Sequence, residues 1–367
     1  MAIKKQSTPL PTPAMVQISN MNTGIEPMVM SAYMLCYDEE QRLLEAQNEQ
    51  TEKPLIHIRI LGWMFVYNLG SSMLIKLAEA VTVSHDEDVT YDQLGEFFLN
   101  YWIRPFRIRA RTPYSSHPSR PACEAKAVDL AAVLKEPNLD HKGAKALALE
   151  RDGYRCILTG ILDTNSVATS AVQVTYNEEG KPLQHMMETQ CARIFSKSAN
   201  ESLSNERKKL YAGRAWAVLE GFGYGEILGE LNGSDVNRLE NVLTLENSCH
   251  SAFDNLWLWL EATEPDNPES HSYNIRTYRY YSHPSLPASV TFTNRARPEY
   301  RDRIPLPSKK YLRVHAACCG VAAMSGAGEY LDKVMRDQER INVLSADGGS
   351  SDVAVNAVWK AFYSVSK

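Results

Sequence analysis

The residues able to do chemistry gather in the middle third of the chain and in one arginine-rich stretch before it. His250 and Asp254 stand four apart in NSCHSAFD. Within a helix that spacing puts both side chains on one face, where an imidazole nitrogen and a carboxylate can share a divalent cation. Arg193, in CARIF, stays protonated at any ordinary pH. It can grip a phosphate oxygen or a charged transition state, but it takes no proton from water. Arg104, Arg107, Arg109 and Arg111 are interleaved with Pro and Ser in RPFRIRARTPYSSHPSRP. That run reads as an extended, positive connection able to lie along a phosphate backbone, or as a solvated linker whose arginines pair with acidic surface. Metal-dependent phosphodiester hydrolysis needs a cation to polarise the phosphate and a base to activate water. A strand pair followed by a helix can supply both.

The elements that must position these groups follow from periodicity. Residues 1–25 are polar, proline-containing lead-in. From about 28 to 103 apolar residues recur at helical spacing, with Leu94, Phe97, Phe98 and Tyr101 on one face, and the stretch reads as about three helices. Residues 124–150 return to helix. RDGYRCILTGILD reads as turn, short strand and turn, TQCARIF as a short strand, and NERKKLYAGRAWAVLEGF as a helix. NVLTLENSCHSAFD then reads as a strand with a helix opening near Ser248. YNIRTYRYY and SVTFT read as strands, and KKYLRVHAACCGVAAMSG as a helix of the tail. The fold class expected is α+β: a helical region over 26–123, a central module over 124–265, and a β excursion with a helical C-terminal region over 266–367.

The order RDGYRCILTG, CARIF, NVLTLENSCHSAFD resembles the HNH endonuclease-like domain of many fungal proteins, and IRPFR, SSHPSRP, HAAC and DGGSS extend the likeness to the basidiomycete-type set. The resemblance implies a ββα-metal module. Position by position, it makes Asn241 the asparagine that holds the loop and helps orient the base. It makes His250 the last histidine, a cation ligand, with Asp254 as a second. Arg193 falls where the family has its first histidine, the general base. Ala192 precedes it, where some members carry a metal ligand, and Ser196 follows where proline is usual. General-base catalysis contributes about 10²–10⁴-fold, so the resemblance implies a nuclease weakened or disarmed at Arg193. It also implies Mg²⁺, Mn²⁺ or Zn²⁺ as cofactor and DNA or RNA as partner. His185, in LQHMMET, is the nearest upstream histidine that a loop could bring in as a substitute base.

Bland readings stand beside these. His250 can be a packed or capping histidine, and Asp254 can simply fix the helix turn. Cys156 and Cys191 read as buried thiols, with a mixed Cys/His zinc site as the sharper alternative. The seven cysteines include no C-x-x-C pair. Trp257 and Trp259 read as packing, and the glycines of GFGYGEILGELNG follow a helix, not the strand a dinucleotide loop needs. The net charge of -5 argues against a uniformly basic nucleic-acid coat but not against a local groove. The apolar stretch 55–81 carries His57, Arg59 and Lys76, so it is expected as a core helix and no membrane contact is expected. MAIKKQSTPLPTPAM lacks an apolar segment of the secretory kind, which points to cytoplasm or nucleus. The alternative to a nucleic-acid role is an HNH-type scaffold turned to protein interaction or small-molecule chemistry.

Overall fold

The computed structural model describes residues 7–16, 26–46, 51–67, 69–86, 90–107, 129–169, 171–195, 206–278 and 281–334. Among the described residues the N-terminal region holds four helices of eight residues or more where about three are expected: α1 Glu26–Ala46, α2 Glu52–Val66, α3 Ser71–Asp86 and α4 Tyr91–Phe98, the last continued by a π-turn over Leu99–Ile103 and a helical turn over Arg104–Phe106. Helix α2 has no solvent face. Every residue from Leu55 to Phe65 is buried, His57 and Arg59 included. The buried cation is matched: Arg59 Nε lies 2.5 Å from Glu40 Oε1 of α1, and Glu40 also accepts the Leu10 backbone N–H. His57 Nδ1 meets Asp92 Oδ1 at 2.7 Å. Helices α2 and α4 approach so closely that a Cβ on Gly95 would lie 2.4 Å from the Cβ of His57. No helix among the described residues is long and apolar enough to cross a membrane.

The expected helix over 124–150 is two pieces. Leu130–Val133 forms one turn, and α5 begins at His141 and runs to Arg151. Pro137 cannot donate within a helix, and Asp140 instead caps α5 by accepting the Gly143 N–H at 2.6 Å. Strand β1 is Thr189–Arg193, α6 Glu206–Gly221, β2 Val242–Glu246 and α7 Asn247–Asp254. A further two-residue strand, Leu162–Asp163, pairs in parallel with Met186–Met187.

Beyond α7 come β3 Leu258–Ala262, β4 Ser272–Thr277 and β5 Ser289–Thr291, an antiparallel sheet in the order β3-β4-β5, and then α8 Lys309–Ser325. A boundary near 265 therefore cuts a hairpin in which Ala262 pairs with Tyr273. Helix α8 packs on both α2 and β3, and one apolar cluster runs from Leu10 to Leu331. The small residues of α8 allow this approach: Cys318 and Cys319 are fully buried. Among the described residues the architecture is α+β, with three small sheets among helices.

Candidate functional site

Strands β1 and β2 form an antiparallel pair with Thr189 opposite Glu246 and Arg193 opposite Val242. Helix α7 follows β2 without a gap, because Glu246 ends the strand and caps the helix. Its carboxylate accepts the backbone N–H groups of Ser248 and Cys249 at 2.8 and 2.6 Å. The result is strand, strand, helix. His250 and Asp254 do share one face of α7, with His250 Nε2 3.3 Å from Asp254 Oδ2.

The two are placed differently with respect to water: the Asp254 side chain is 11% exposed and that of His250 21%. Asp254 Oδ1 is buried and receives no hydrogen bond. Burial pushes the Asp254 carboxyl up to about 7, against the opposing pull of the positive Arg193. An imidazole beside an unpartnered carboxylate oxygen is a donor set that fits a divalent cation. Among the described residues no three His, Cys, Asp or Glu side chains converge on a metal position.

Arg193 leaves the end of β1 half-buried and is held by two groups that sequence reading did not single out. Its Nε and Nη2 donate to Asn237 Oδ1 at 3.2 and 2.8 Å, and Nη2 also meets His141 Nδ1 at 3.0 Å. Asn237 is itself oriented by donating to Leu139 O at 2.9 Å. His141 opens α5, 52 residues from Arg193, and Asn237 lies in the turn before β2. No local spacing announces either. The only signal was a histidine directly after the capping Asp140.

Asn241 is fully buried and closes the long excursion between the strands. Its Oδ1 accepts the Phe195 N–H at 2.9 Å, while Nδ2 donates to Phe195 O at 3.0 Å and Val236 O at 2.8 Å. It holds the backbone just past Arg193 and bonds no described side chain of the site. His185 is exposed, with its carbonyl accepting the Leu162 N–H. It has no recorded bond to Arg193.

The arginine run divides. Arg104 is exposed. Arg107, expected on a phosphate-facing connection, instead turns inward: it donates to Gly328 O at 2.6 Å and pairs with Asp332. Desolvation lowers its pKa to about 10. Paired and buried, it is not a surface contact but an internal tie between the chain after α4 and the region after α8. Arg109 and Arg111 lie outside the described residues.

Cys156 and Cys191 are buried thiols. Cys191 sits in β1 with its acidity reduced by burial, up to about 11. Cys156 lies in hydrogen-bond contact with Cys249 of α7, and Thr159 and the Glu246 backbone also donate to its sulfur. Trp259 is buried and donates to Glu261, which is packing and not an exposed stacking surface. Comparison of the chain with protein-family models, curated proteins and solved structures found no match.

Proposed function

We propose that this is a degenerate HNH endonuclease-like protein, associated with nucleic acid and weak or inactive in phosphodiester hydrolysis. One observation carries the reading. The antiparallel β1–β2 pair runs directly into α7, whose Asp254, paired with His250, lies within electrostatic reach of Arg193 at the end of β1. A divalent cation held by His250 and Asp254 would polarise a scissile phosphate. Arg193 would offer its charge and its Nη1 donor to a non-bridging oxygen. It cannot deprotonate water, so the step that a histidine would perform at that strand end has no agent there.

The experiment is cleavage of plasmid and single-stranded DNA with Mg²⁺, Mn²⁺ or Zn²⁺ by the native chain, His250→Ala and Arg193→His. Silence of the native chain with cleavage by Arg193→His establishes a disarmed nuclease. Native cleavage abolished by His250→Ala refutes the inactivity. Silence in all three, with no DNA binding that weakens with salt, favours the scaffold reading. That second reading draws on Arg107, which is committed to the interior and adds nothing to a basic surface.

A further inference from the structure

A guanidinium is usually quieted by a carboxylate, and several in this molecule are. Arg59 pairs with Glu40, Arg107 with Asp332 and Arg151 with Asp152. Arg193 differs. Its hydrogen-bonded partners are the amide oxygen of Asn237 and the ring nitrogen of His141, both without negative charge. Because guanidinium nitrogens only donate, the contact is a hydrogen bond when His141 Nδ1 accepts, the ring proton then sitting on Nε2. Neutral acceptors fix the plane of the cation, and no carboxylate among the described residues pairs with it directly. Asp254 acts on it only at longer range, with no direct ion pair between them.

Orientation by Nε and Nη2 also decides what is presented. Those two nitrogens are occupied, and Nη1 donates to none of the described residues. A half-buried cation, locked in plane and with donor capacity left over, is a receptor for a tetrahedral oxyanion.

We propose that Arg193, set in place by His141 and Asn237, is a phosphate-binding clamp that works without a metal ion. It uses one side chain of the reading above but depends on neither the cation nor nucleic acid. His141 is a positioning residue: it acts through Arg193 by accepting from Nη2. Its ligand class is a phosphate group, whether free, at a strand end or within a diester.

Calorimetric titration of the full chain with inorganic phosphate, in EDTA at constant ionic strength, tests this. The expected result is binding that weakens roughly ten-fold in His141→Ala and in Arg193→Lys, and returns in His141→Gln, whose amide oxygen restores an acceptor. A lysine cannot reach both acceptors as a planar fork does. Binding that requires added Mg²⁺, or that is unchanged in His141→Ala, overturns the proposal. Loss in both His141 variants overturns the positioning role and makes His141 a direct contact. A parallel titration with DNA separates the two ideas. DNA binding without phosphate binding in EDTA sinks the clamp alone, and phosphate binding without DNA binding sinks the nucleic-acid reading alone.

Discussion

At the scale of single residues, the site is built from groups whose surroundings oppose their usual states. Asp254 is an acid that burial holds near pH 7, while its unfolded counterpart titrates near 3.8. Between those values the folded chain carries a proton that the unfolded chain has lost, so this group's contribution to stability falls as pH rises from about 4 to 7. Asp254→Asn removes the charge that cannot be solvated. It is expected to raise stability above pH 7 by up to about 4 kcal/mol in denaturant melts. No stabilisation there would mean that Asp254 is ionised and compensated in the native protein. Asn241→Ala should cost roughly 2–4 kcal/mol, since it strands the Phe195 N–H and two carbonyls in the interior. Arg193, Asn241, His250 and Asp254 were legible because each belongs to a short motif. His141 and Asn237 were not, because what brings them to Arg193 is a contact across 52 and 44 residues that only the packed chain creates.

At the scale of elements, local chemistry predicted existence better than extent. TQCARIF contains the strand β1, buried at Thr189, Cys191 and Ala192, and it ends at Arg193, just before the Phe195 backbone that Asn241 holds. The helix at 206–221 and the opening of α7 near Ser248 were readable from the residue pattern. The cap of α7 was less visible, since Glu246 is an unusual cap and works here by bracketing two N–H groups. Glu246→Ala should lower stability by about 1–2 kcal/mol, and Glu246→Gln by less, read as shifts in the denaturation midpoint. The contact of α2 with α4 hangs on Gly95. Gly95→Ala forces a Cβ into His57 and its backbone, with an expected loss of about 1–3 kcal/mol, and a neutral result would mean the two helices can slide apart freely.

At the scale of the whole molecule, the three regions read from composition share contacts and a core. The texture of the sequence does change near 150. Even so, α8 packs on α2 and β3 together, Arg107 reaches Gly328, and a single apolar cluster includes Leu10, Leu243 and Leu331. Composition cannot reveal such closure, because a buried helix and a helix of a separate unit carry the same apolar pattern. Residues 124–265 expressed alone should fail to fold, since the cut strips β4 from β3 and α8 from its seat. The intact chain should melt in one calorimetric transition, with van't Hoff and calorimetric enthalpies in agreement. Two separated transitions would restore the three-part view.

One pairing on α7 has a consequence for heat and buffer. Phe253 stacks its ring 3.9 Å from His315 of α8, and Asp254 is the next residue. His315 is entirely enclosed, and burial drives its pKa down to about 3, so on folding it gives up a proton at any pH between about 3 and 6.5. Asp254 takes one up between about 4 and 7. In the overlap, from about 4 to 6.5, the two exchanges cancel. Folding enthalpies measured there in acetate and in a buffer of large ionisation heat should agree as far as this pair is concerned. In Asp254→Asn the release from His315 stands alone, and the same two buffers should then differ by the ionisation heat of about one proton.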